Sequence, residues 1–164
     1  MKTIIWFFII IIPFTLAACE ENSTQINKIS LNNEVDYMRI RTDQKHFETP
    51  PNESIEVIRS KEALEDYLDA HAQDYYFNRG FKVAVIPYDT AFFETQTLIL
   101  ISLHETSGST THQLDTLYIE NDILHVEVIR NVSNGTADMA AWHLLIEYDN
   151  SLDNIKDTKL TITK

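Results

Sequence analysis

Thr97-Leu98-Ile99-Leu100-Ile101-Ser102-Leu103-His104 is the strongest strand signal in the chain. Its near-continuous apolar run predicts a central strand, because a strand with one wetted face alternates instead. Thr106-Ser107-Gly108-Ser109-Thr110 follows and reads as a turn. His112–Glu120 and Ile123–Arg130 then form a hairpin around Asn121-Asp122. With Glu120 opposite Ile123, the pairs Ile119/Leu124 and Leu117/Val126 share one face. Tyr118/His125 and Thr116/Glu127 share the other, so the apolar pattern supports this register. Beyond a loop over 131–138, Ala141–Tyr148 turns Trp142, Leu144, Ile146 and Tyr148 inward and His143 and Glu147 outward. Lys159–Ile162 is a final short strand.

Upstream, Val35–Arg41 alternates as a strand and Thr49-Pro50-Pro51-Asn52 interrupts it. Ser60 caps a helix whose apolar stripe is Leu64, Tyr67, Leu68, His71 and Tyr75. Glu62, Glu65, Asp66, Asp69 and Gln73 occupy its other side. Phe81–Ile86 reads as a short strand stopped by Pro87, and Asp89 caps a short helix through Ala91–Glu94. Short loops favour antiparallel neighbours. The expectation is an α+β domain over residues 34–164: a largely antiparallel sheet of five to six strands with one main amphipathic helix packed on it.

The N-terminus carries a different message. Lys2 precedes the apolar run Ile4–Ile12, and Leu16-Ala17-Ala18-Cys19 follows. That is the layout of an export signal, and the stretch, broken by Pro13, is shorter than the ~20 residues a spanning helix needs. The last four residues look like a bacterial lipobox, which implies removal of residues 1–18 and a lipid on Cys19. The alternative is an ordinary signal cut after Ala18, with Cys19 unmodified. Cys19 is the only cysteine, so no disulfide forms within the chain, and lipidation accounts for the odd thiol. Residues 19–33, rich in Glu, Asn, Ser and Thr, read as a tether. The expected location is the cell membrane or outer membrane, facing away from the cytoplasm.

The formal net charge of −12 becomes −13 once Lys2 is removed. A domain this acidic repels phosphate backbones, so no nucleic-acid partner is expected. Three glycines exclude a glycine-rich phosphate loop, and no GxSxG or HExxH motif occurs. No cofactor is expected, and the chain reads as a binding protein and not an enzyme.

Three site readings compete. A contact surface would use Phe92, Phe93, Ser107, Gly108 and Ser109. A small-ligand or metal site would use His125, Glu127, His143 and Glu147, if their strands are neighbours with these residues on one face. A serine hydrolase would draw on Ser107 or Ser109, His104 or His112, and Asp138. Against the last stands a hairpin turn whose serines bond their own backbone.

Tyr88-Asp89-Thr90-Ala91-Phe92-Phe93-Glu94, then Leu98–Ile101, the Ser107-Gly108-Ser109 turn and Asp138–His143 resemble a bacterial domain family. It is the C-terminal domain family of the protease complex subunit PrcB, and the resemblance spans roughly residues 81–163. It implies a compact sheet-rich domain on an exported lipoprotein. The implied role is accessory, assisting or docking a surface protease, with no family active-site residues to carry over.

Overall fold

A computed structural model describes residues 27–29, 35, 37–45, 52–133, 135, 138–149 and 154–164. In chain order its elements are β1 (Asn27–Ile29), β2 (Tyr37–Gln44), β3 (Ser54–Ile58), α1 (Lys61–Ala70), β4 (Tyr75–Tyr76), α2 (Arg79–Ala84), α3 (Thr90–Phe93), β5 (Gln96–Glu105), β6 (Thr111–Glu120), β7 (Ile123–Asn131), β8 (Ala140–Asp149) and β9 (Asp157–Thr163). The export signal, Cys19 and most of the expected tether lie outside the described residues. No helix among the described residues is long and apolar enough to cross a membrane.

The architecture is α+β. An antiparallel five-stranded sheet has the order β3-β5-β8-β2-β4. One face carries the helices; the other packs on a second sheet, β1-β6-β7-β9. β5 is covered on both faces, as its apolar run predicts. Ile99, Ile101 and Leu103 meet Leu117, Leu124 and Val126 of the second sheet. Leu98 and Leu100 meet Leu64, Phe81 and Phe93 on the helix side. Each of these buried apolar side chains contributes on the order of 1.5–3 kcal/mol.

The hairpin register holds residue by residue, with Glu120 opposite Ile123, Leu117 opposite Val126 and Tyr118 opposite His125. Asn121 and Asp122 turn it with φ of 53° and 63°. Two consecutive positive φ values match the twist of a two-residue hairpin, and Asn and Asp tolerate them. A bulge between Leu114 and Thr116 resets the alternation, so both Leu114 and Leu117 reach the core.

The structure departs from expectation in several places. Residues 79–84 are helical, not a strand, because Asn78 Oδ1 accepts from Phe81 N at 3.0 Å and starts α2. Short apolar runs do not distinguish the two by pattern alone. The stripe expected to reach Tyr75 stops at Ala70; His71 O then accepts from Tyr75 N, and the chain turns into β4. β3 is an additional strand. β1 falls within the expected tether and pairs with β6, so the folded unit begins by Asn27. β9 runs parallel to β7, which makes the second sheet mixed.

Candidate functional site

β5 leads out of the core into the 106–110 turn, and β2, β6, β7 and β8 bring polar groups to the same end of the domain. Ser107 Oγ and Ser109 Oγ are 2.8 Å apart, and Ser109 Oγ donates to Ser133 O at 3.3 Å. The turn is closed by Thr110 N donating to Ser107 O. Gly108 N donates to Asp138 Oδ1 at 3.2 Å, while Asp138 Oδ2 sits 2.5 Å from Arg41 Nη2. A Cβ on Gly108 would collide with Asp138 Oδ2 and lie 2.6 Å from Arg41 Nη1. A side chain here would have to displace the ends of Arg41 and Asp138.

Beneath the turn, Glu105 Oε1 lies 2.6 Å from His112 Nε2 and 2.7 Å from Arg130 Nε, and Arg130 also pairs with Glu53. Glu105 and His112 are buried. A carboxylate in that position is tolerated because it has charged and hydrogen-bonding partners.

On the helix side, His143 is fully buried. Its Nε2 is 2.8 Å from Thr42 Oγ1, and its Nδ1 is 3.2 Å from Ser102 Oγ, which in turn bonds Tyr67 Oη at 2.8 Å. Rings of Tyr75 and Phe81 stand edge-on to the imidazole. Burial, reinforced by His104 and His71 nearby, pushes His143 down to about 3. Burial also raises Tyr67, and it lifts Tyr75 to about 12. Tyr75 Oη bonds His104 Nε2 at 2.8 Å, and burial lowers His104. These are neutral side chains in a hydrogen-bonded layer between α1 and the sheet.

No family model, no curated protein and no solved structure matches this chain.

Ser107, Gly108 and Ser109 come together with Arg41 and Asp138 at one end of the fold, Ser107 buried and the other four half-buried. Phe92 and Phe93 do not join them: α3 sits at the opposite end of β5, about 30 Å away along a strand of this length. Phe93 is buried and Phe92 half-buried in the helix-side core, stacked edge-on with Tyr88. They cap the core and do not extend the surface.

The metal reading needed β7 and β8 as neighbours, and they lie in different sheets. His125 and Glu127 are half-buried on the second sheet, away from its buried Leu124, Val126 and Val128. His125 stacks on Tyr118. His143 faces the helix layer, and the exposed Glu147 accepts from Tyr88 Oη at 3.2 Å. Among the described residues, no group of three or more His, Cys, Asp or Glu is placed to hold a metal ion. His143 was expected to face outward because a strand with polar alternation commonly has a wet face. Its outer face is instead covered by α2 and the segment around Tyr75.

For a hydrolase, a histidine would have to meet Ser107 or Ser109. His104 and His112 direct their bonded ring nitrogens to Tyr75 and Glu105 instead, and Asp138 holds Arg41 and Gly108 N. The Glu105–His112–Arg130–Glu53 cluster was missed by sequence reasoning. Its only signal was the charge placed at the ends of otherwise apolar strands.

Proposed function

We propose that this chain is a lipid-anchored accessory protein held outside the cytoplasm, contributing a protein-contact surface to an envelope assembly. The observation that carries this reading is the clamped turn at Ser107-Gly108-Ser109. Its backbone is held by Asp138, itself held by Arg41. A preformed polar turn, half-exposed at Gly108 and Ser109, loses little conformational freedom on binding. The Leu16–Cys19 lipobox supplies the anchor, and the resemblance over residues 81–163 nominates an envelope protease as the partner.

Crosslinking in cells, followed by affinity recovery from membranes and mass spectrometry, tests the reading. The expected result is a stoichiometric surface protein that is lost in Gly108→Lys. Recovery of the chain alone, under conditions that capture a known membrane complex, overturns it. So does full complementation of a deletion by a secreted Cys19→Ala form, which would make the anchor irrelevant.

A further inference from the structure

β3 pairs with β5 on one side, and among the described residues no strand pairs its other side. Unpaired edges invite strand addition, and proteins block them with brevity, lysine, proline, bulges or covering segments. The other edges show such protection. β1 spans three residues and β4 two, while β9 carries Lys159. On β2, Asn78 Nδ2 donates to Arg41 O beyond the end of β4. β3 reads Ser-Ile-Glu-Val-Ile, pairs without a register shift, and has no lysine, proline or bulge.

The same strand is flanked by two open grooves. One, of about 300 Å³, lies between β3 and α1, lined by Glu56, Ala63, Asp66 and Ala70 among others. The other, of about 230 Å³, lies between β3 and β9 and includes Ile55, Val57, Ile155 and Lys156. An added strand would point alternate side chains into these two grooves. Against α1 they would meet two small alanines with room for a long side chain, and the exposed carboxylates of Glu56 and Asp66. Against β9 they would meet Val57 and Ile155 within a polar rim that includes the cations Arg59 and Lys156, which disfavour a second cationic row on this side.

We propose that the free edge of β3 accepts an extended segment of a partner protein in which cationic and apolar residues alternate. The cationic side chains lie along α1 beside Glu56 and Asp66. The apolar ones cover Val57 and Ile155, and the backbone extends the sheet to a sixth strand. Charge selects this occupant over a second copy of the chain. Edge-to-edge self-pairing would bring two Glu56-bearing strands together on bodies that each carry a formal charge of −12, and like charges across such a contact are destabilising.

The test uses the full chain in detergent micelles and a labelled peptide of alternating lysine and valine. Two control peptides are used: one with central prolines and one with glutamate for lysine. The expected result is saturable binding of the first peptide alone, with slowed amide exchange confined to residues 54–58. Asp66→Lys, on the exposed face of α1, should weaken binding by about ten-fold without altering the melting temperature. Equal binding of the proline peptide, absence of protection at residues 54–58, or no binding overturns the proposal. So does self-association through β3 in the absence of peptide. None of these readouts involves Cys19 or the Ser107–Ser109 turn, so failure here leaves the proposed function standing.

Discussion

Glu105 and His112, seven residues apart in the chain, meet at 2.6 Å across the junction between the two sheets. The pair ties the end of β5 to the start of β6 and, through Arg130, to β7. Glu105→Ala strands the buried His112 beside an apolar core and leaves Arg130 with Glu53 as its remaining carboxylate partner. Equilibrium urea denaturation should show a loss of about 3 kcal/mol. A loss below about 1 kcal/mol, the range of an exposed pair, would show that water already reaches this junction.

His143 makes stability pH-dependent. Its folded-state value, about 3, is below its ordinary 6.5, so the unfolded chain binds the proton first as pH falls. The stabilisation is complete above pH 6.5 and is lost as pH drops toward 3. The slope approaches about 1.4 kcal/mol per pH unit for one proton. The depressed His104 acts in the same direction. Melting temperatures measured from pH 7 to pH 4 should fall less steeply in His143→Gln than in the parent chain.

Gly108→Ala forces the Arg41–Asp138 pair apart or moves the turn. The expected loss is up to about 1 kcal/mol, the range of a half-exposed ion pair. On an Asp138→Ala background the same substitution should cost less, and a double-mutant cycle reads that coupling. Additive losses would mean that the collision is relieved elsewhere.

Asn78 serves two elements at once, capping α2 through Oδ1 and donating to Arg41 O through Nδ2. Asn78→Ala should cost about 1.5 kcal/mol in thermal or urea unfolding. Asn78→Asp keeps the capping acceptor and loses the donor, so its loss should be smaller. An aspartate variant as unstable as the alanine variant would place the whole effect on the β2 edge.

The parts of the fold written in local pattern were legible. The β6–β7 register followed from Leu117, Ile119, Leu124 and Val126, and the caps at Ser60 and Asp89 from their hydroxyl and carboxylate. What escaped was non-local. Whether β7 and β8 adjoin depends on how two sheets stack, and no periodicity encodes that. His143 looked wet because its neighbours Trp142 and Leu144 face the other way. Its cover comes from Tyr75, Phe77 and Phe81, some sixty residues upstream. The serines, glycine and aspartate of the 107–109 turn were visible as residue types, whereas Arg41 reaches Asp138 across a separation of 97 residues.

The outer strands of the second sheet are the first and the last strands described, β1 and β9, on either side of the β6–β7 hairpin. A ribosome therefore delivers the hairpin long before Leu160 and Ile162 arrive to cover it. The five-stranded sheet waits as well, since β2 aligns Ile40 with His143. Ladders of such long range close slowly. Neither sheet can be completed until β8 and β9 have been made, so the two-layer core closes only at the end of synthesis.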